Sequence, residues 1–365
     1  MTARRHPPRS MDHPMARLTN TAAALASLTL LFSPACGGAP DDPAARGTTP
    51  CAVTFAGDAA QSFLPHELQL EVLFDGLTIG EGPVWVPATA QLVVSDVAAN
   101  KMYTWPESSG HEVLLEASGQ TGAAPFFAGG VLGSNGAAVD AAGDIVFCQH
   151  GNRRLAKMSM GAANAPSITS LVADADGKRF NSPNDLTIAP SGEVYFSDPP
   201  YGFLDLANSD PNAGKMVFVA EGRELDKSGI YRFKPGTGEL DLLSDVMELP
   251  NGMALSPDGS WLYVNSSNMQ KREMWRFSTA DGSGSVFYDG PFGDDENGWF
   301  DGMKMHSSGN IFTSGPGGLL VISPAGERIA TVALPDPITN CCFDEDEGYV
   351  YVTSFNYVGR LRLKP

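Results

Sequence analysis

The chain has 365 residues, 42% hydrophobic and 18% charged, with 40 Gly, 27 Pro and a formal net charge of −18. It is long enough to bury a large core and too apolar for intrinsic disorder, and its acidic balance argues against a nucleic-acid partner, which needs clustered Lys and Arg. No apolar run reaches the roughly 20 residues of a membrane-spanning helix, and abundant turn residues without long helical periodicity predict an all-β chain.

At the N-terminus, Arg4, Arg5, Arg9 and Arg17 precede an apolar stretch from Thr21 to Phe32 and then Ser33-Pro34-Ala35-Cys36-Gly37-Gly38. A basic region, a short apolar region and small residues predict an export signal over residues 1–35. Its end resembles a bacterial lipoprotein cleavage site with Cys36 as the lipidated residue; a plain secretory signal is the alternative. Either predicts an exported protein, in the periplasm or cell envelope, touching the membrane only through a lipid on Cys36. Residues 36–50 predict a flexible tether and residues 51–365 the folded domain. The other cysteines, Cys51, Cys148, Cys341 and Cys342, lack a CxxC spacing, which argues against a thiolate zinc site. Three patterns stay open: Cys51 bridged to Cys341 or Cys342, a vicinal Cys341–Cys342 bridge, or no bridge.

Next come internal repeats. Segments beginning at Glu81, Asn135, Asn184, Asn251, Asp301 and Asn340 share one pattern: a polar residue, an apolar strand, a turn and a second apolar strand. Eight residues after the polar residue stand Gly143, Gly192, Gly259, Gly309 and Gly348, with Thr89 in the first copy. Each copy predicts a β-hairpin. Further strands are visible at Lys101–Trp105, Gly229–Phe233, Met274–Phe277 and Gly318–Ile322. Six copies predict a six-bladed β-propeller with four-stranded blades. The chain ends soon after Gly359–Leu363, so the last blade lacks a strand, and Cys51–Phe55 is expected to supply it. The insertion Pro199–Ser228 is a candidate lid.

In a propeller the first strand of each blade lines the central channel, so the six polar residues form a ring at one mouth. Turn preference explains isolated Asn or Asp residues, but not Glu81 or the consistency around the ring. Carboxylate and amide oxygens suit one hard divalent cation, and the absence of His and Cys from the ring favours Ca2+ over Zn2+. Asp96, His150 and Asp198 follow the second strands and are expected near the opposite end.

The motifs Gly80-Glu81-Gly82-Pro83-Val84-Trp85, Cys148 to Arg154, Arg179 to Asp185, Ser197 to Gly202, Pro250-Asn251-Gly252 and Asp301-Gly302-Met303 resemble the gluconolactonase, regucalcin and senescence-marker-protein family of six-bladed propellers. The resemblance covers residue 70 to the C-terminus. It implies that Glu81, Asn184, Asn251 and Asp301 hold the metal, usually Ca2+, with Zn2+, Mn2+ or Mg2+ accepted. It further implies hydrolysis of a lactone of gluconolactone type. Asp301 is the expected general base, with Glu81 the alternative; His150 and Arg179 are expected at the substrate, and Asn135 and Asn340 either there or behind the metal ligands. A GxSxG elbow is lacking, which argues against a serine esterase. The alternatives are a diisopropylfluorophosphatase-type phosphoester hydrolase and a non-catalytic calcium- or sugar-binding propeller.

Overall fold

The computed structural model describes residues 47–160, 166–210, 215–293, 296 and 298–364. The export signal, Cys36 and nearly all of the tether lie outside the described residues, among which there is no α-helix.

Each repeat folds as an antiparallel meander. The first comprises Gly80–Val86, Gln91–Asp96, Lys101–Pro106 and Glu112–Leu115, and the second Ser134–Val139, Ile145–Gln149, Arg154–Met160 and Pro166–Val172. The third comprises Leu186–Ile188, Val194–Asp198, Gly229–Lys234 and Glu239–Ser244, and the fourth Pro250–Leu255, Trp261–Ser266, Met274–Ser278 and Gly284–Tyr288. Apart from a small ribbon of Asp174–Ala175 and Lys178–Arg179, the remaining strands form one nine-stranded sheet. Half of it is Met303–Met305, Ile311–Gly315, Gly318–Ile322 and Arg328–Val332, and half is Ile338–Phe343, Tyr349–Ser354, Tyr357–Arg362 and Glu67–Asp75. The strand Thr48–Phe55 joins the halves.

Burial follows strand order. Pro250–Leu255, a first strand, is buried at every residue, whereas Glu112–Leu115, a fourth strand, is largely exposed. First strands therefore face the axis, and fourth strands face solvent except Arg328–Val332 and Glu67–Asp75, whose outer edges Thr48–Phe55 covers. The apolar cores lie between neighbouring sheets. Val84, Val93 and Met102 of the first pack against Phe147 and Met158 of the second, and Val146, Cys148 and Leu155 of the second pack against Leu186 and Phe196 of the third. Tyr351 and Val358 of the nine-stranded sheet pack back against Leu92, Val94 and Trp105 of the first. This closed succession of meanders is a β-propeller.

The turn glycines Gly143, Gly192, Gly259 and Gly309 take left-handed φ angles of 84°, 91°, 71° and 82°. In the last repeat the left-handed residue is Glu347 (φ 53°) rather than Gly348, and in the first it is Ala90 (φ 49°) rather than Thr89. These two turns are displaced by one residue.

The structure corrects the closing strand. It is Glu67–Asp75 that pairs with Tyr357–Arg362. Thr48–Ala52 pairs with the outer edge of Glu67–Asp75, and Val53–Phe55 then crosses to Ala330–Val332 of the other half. The N-terminal strand also begins at Thr48, three residues before the boundary drawn at Cys51. Burial goes with this pairing: Leu68 and Leu70 bury in one core, and Leu73 and Phe74 in another. Leu70→Ala should lower the unfolding free energy by about 2–5 kcal/mol in denaturant melts. A near-neutral result would mean that this strand does not close the ring.

Cys51, Cys148, Cys341 and Cys342 are all buried and free. Neighbouring residues on a strand point to opposite faces, so Cys341 and Cys342 enter different cores. Cys51 and Cys341 each turn the thiol to a main-chain carbonyl, of Thr49 and Phe312. Alkylation of the unfolded protein without reductant should label all four, and a disulfide-linked peptide containing Cys51 would contradict this arrangement.

Candidate active site

The first strands meet at the channel mouth at distances only glycine tolerates. A Cβ at Gly302 would stand 1.9 Å from Asn340 Cγ, and one at Gly252 would stand 2.2 Å from the Asp301 carbonyl oxygen. Main-chain hydrogen bonds run between neighbours there: Gly136 N–H to Asn184 O (2.8 Å), Gly252 N–H to Asp301 O (3.0 Å) and Gly302 N–H to Thr339 O (2.7 Å). Strand register also shifts beside the polar residues, between Glu81 and Val84, Ser134 and Ala137, Pro250 and Met253, and Ile338 and Asn340. Such bulges re-aim side chains.

Glu81, Asn135, Asn184, Asn251 and Asp301 consequently line one cavity of about 130 Å3, together with His150. The second-strand set is not at the opposite end. An antiparallel hairpin returns its second strand to the start of its first, as the pairing of Gly80 with Asp96 records. Only His150 of that set lines the cavity. Asp96 accepts from the Thr78, Ile79 and Ala99 N–H groups, and Asp198 from those of Asn181 and Ser182. Both are buried loop anchors.

His150 Nδ1 lies 3.1 Å from the Val131 carbonyl oxygen, which only accepts, so Nδ1 carries the proton. Nε2 then receives the Asn135 and Asn184 Nδ2 groups at 3.3 and 3.4 Å. Burial holds this imidazole neutral, with its pKa lowered to about 4. With its nitrogen engaged, Asn184 keeps its oxygen as the available ligand atom.

Asn340 stands behind the ring. Its Nδ2 donates to Glu81 Oε2 at 3.0 Å, and its Oδ1 accepts from the Cys341 N–H. Arg179 is elsewhere: it is exposed, 3.1 Å from Glu224 Oε1, and does not line the cavity. A side chain on the outer loop, paired with Glu224, is held away from the substrate position expected of it. Sequence reasoning did not single out Tyr201, which reaches the cavity from the predicted lid and hydrogen-bonds Ser267 and Asn251. Nor did it single out Trp299, whose Nε1 donates to Asp301 Oδ2 at 3.2 Å, or the half-buried Lys304, 3.8 Å from Asp185.

The insertion folds over the mouth, with Leu204 bridged to Phe218. Val97, Val131 and Leu204 form an apolar cluster there with Ile79, Tyr201, Leu206 and Met216. The buried Arg153 anchors the insertion, its guanidinium 5.1 Å from the Phe203 ring centre and donating to the Gly222 carbonyl.

Glu81 and Asp301 are 4% and 9% exposed, and neither makes an ion pair among the described residues. Burial raises both carboxyl groups above the ordinary range. The Glu81 carboxylate adds to the rise at Asp301, and the Asp185 carboxylate to the rise at Glu81. Two buried acids beside amide oxygens are a donor set that a hard divalent cation would neutralise. Among the described residues no group of three or more His, Cys, Asp or Glu is placed to hold a metal. The mixed carboxylate–amide ring is the set that fits one.

Fold and site together define a propeller protein with a small-molecule site at one channel mouth. Residues 79–356 match the family model described as SMP-30/Gluconolactonase/LRE-like region, and the chain belongs to that family. It is 33% identical to a gluconolactonase of Zymomonas mobilis over 329 residues, 87% of this chain and 88% of that one. A gluconolactonase structure from Xanthomonas campestris superposes with a TM-score of 0.70 at 28% identity, covering 88% of this chain and 99% of that one. Regucalcin from Agrobacterium tumefaciens, described as a calcium-binding protein, shares the fold with a TM-score of 0.55 at 18% identity, over 80% of this chain and 94% of that one.

Gly302→Ala should force Asn340 off Glu81 and destabilise the fold by about 1–3 kcal/mol or more. Gly259→Ala, in open space, should cost about 1 kcal/mol from its backbone angle alone. Equal effects in thermal melts would contradict the close packing at the mouth.

Proposed function

We propose that this protein is a divalent-cation-dependent lactonase that opens a sugar lactone of gluconolactone type. The observation that carries this reading is the pair of buried carboxylates, Glu81 and Asp301, set among amide oxygens in one cavity. The 33% identity with the Zymomonas gluconolactonase over most of both chains supports it. The propeller is read as six-bladed: four separate meanders, and two more joined by Thr48–Phe55 within the nine-stranded sheet. The N-terminal signal is read as directing export, with a lipid on Cys36; labelling with a radioactive fatty acid, lost in Cys36→Ser, tests it.

Glu81, Asn184, Asn251 and Asp301 would hold the cation, which we take as Ca2+ on its all-oxygen donor set. When bound, it would supply Lewis acidity toward the lactone carbonyl. The chain's own residues do the rest. Asp301 accepts a proton from the attacking water. The Trp299 N–H occupies Oδ2 and so leaves Oδ1 for that transfer. The water oxygen bonds to the carbonyl carbon and the bond from that carbon to the ring oxygen breaks. The ring oxygen takes up the proton, giving a hydroxy acid. Neutral His150 fixes the Asn135 and Asn184 amides, and Asn340 fixes Glu81. The apolar roof excludes bulk water and strengthens electrostatic interactions beneath it.

Hydrolysis of D-glucono-δ-lactone should be lost on chelation and restored by Ca2+. Asp301→Asn keeps size and one ligand oxygen but removes the proton acceptor. At saturating metal its kcat should fall by roughly 10²–10⁴-fold. Full activity at high metal would leave Asp301 as a ligand only and pass the base role to Glu81. If no lactone is turned over with any of Ca2+, Mn2+, Mg2+ or Zn2+, the lactonase reading fails.

A further inference from the structure

The cavity's floor and its wall differ in chemistry. The ring oxygens and His150 form the floor, while Leu204, Leu206, Met216, Met269 and Val131 dominate the wall. Among the described residues, no Lys or Arg lines the cavity. The hydroxyl protons on the wall are already committed to the protein. The Ser267 hydroxyl donates to the Phe300 carbonyl at 2.9 Å, the Thr339 hydroxyl to the Gly80 carbonyl, and the Tyr201 hydroxyl is bonded to Ser267 and Asn251. Asn135 Oδ1 is the one cavity-lining side-chain atom among the described residues that is buried without a partner.

A hexonolactone held with its carbonyl on the floor would place several hydroxyls against this wall. Each hydroxyl buried without a partner loses its hydration uncompensated. An alkyl chain in the same place has nothing to lose and gains by leaving water. We infer that, beyond sugar lactones, this enzyme takes alkyl-substituted δ-lactones, and that the alkyl chain lies against the lid residues Leu206 and Met216. This rests on the lactonase reading above and names a further substrate class for the same site. The bond changes are those already given: water adds to the carbonyl carbon, the ring C–O bond breaks, and the product is a chain-bearing hydroxy acid.

The test is a series run on the full-length, Ca2+-loaded protein: δ-valerolactone, δ-hexalactone, δ-octalactone, δ-decalactone and D-glucono-δ-lactone. kcat/KM should rise about fourfold for each methylene that reaches the wall, and the longer members should exceed D-glucono-δ-lactone. Leu206→Asn and Met216→Gln alter half-buried lid positions. Each should flatten the chain-length dependence, lowering kcat/KM for δ-decalactone relative to δ-valerolactone by about 10-fold. The ratio within one variant is insensitive to the fraction of folded enzyme, and the wild-type series decides the matter even if a variant does not fold. If D-glucono-δ-lactone is hydrolysed and the alkyl series is flat or falling, the alkyl-chain assignment is wrong and the lactonase reading stands. If none of the five is hydrolysed, both are overturned.

Discussion

The close approach of the first strands at the channel mouth is the constraint on which the rest depends. Where Gly252 passes the Asp301 carbonyl and Gly302 passes Asn340, there is no room for a side chain. Neighbouring main chains can therefore hydrogen-bond across sheets that share no ladder there, as Gly136 does with Asn184. These contacts fix where the preceding residues, Glu81, Asn135, Asn251 and Asp301, carry their side chains. The site is thus a consequence of how tightly the sheets converge. A change at one glycine would be felt at the ligand atoms rather than only in stability.

Convergence brings two carboxylates into one cavity, and among the described residues neither makes an ion pair. Burying charge is costly unless it is paired. The protein meets part of that cost with dipoles: Gly82 N–H and Asn340 Nδ2 on Glu81, and Trp299 Nε1–H on Asp301. Lys304 answers Asp185 rather than Asp301. On the reading proposed above, a site built this way is unfavourable without a cation and favourable with one, with no need of His or Cys. The other buried acids, Asp96 and Asp198, are satisfied by runs of main-chain N–H groups and serve the loops instead.

Above this polar floor sits a lid of different character. The insertion after Asp198 has its own small apolar cluster and its own anchor in Arg153. That arginine is buried, an expensive position justified by its bonds to the Phe180 and Gly222 carbonyls and its pairing with Glu224. Floor and lid are separate structures meeting at the cavity.

Much of this is legible in the residues themselves. Alternating apolar runs with turn glycines at constant offset specify hairpins, because strand periodicity and left-handed turns are local properties. The spacing of Glu81, Asn135, Asn184, Asn251, Asp301 and Asn340 places them at equivalent positions of successive hairpins, and five of the six do line one cavity. The closing strand was not read, although Leu68, Leu70 and Val72 alternate as a strand should. Which edge a strand joins is a matter of long-range pairing, and Cys51–Phe55 alternates equally well. Strand order alone puts Asp96, His150 and Asp198 at the far end, whereas the return of the hairpin brings His150 into the cavity, where the family motif had it. The family resemblance implies a place at the substrate for Arg179, yet Glu224, brought in by the lid, holds it outside the cavity. Tyr201 and Trp299 reach the site from loops, whose paths no periodicity encodes. Local chemistry determined the hairpins and the polar residue at the head of each. Only the packing of distant segments decided which atoms face the cavity, because burial and pairing belong to the folded whole.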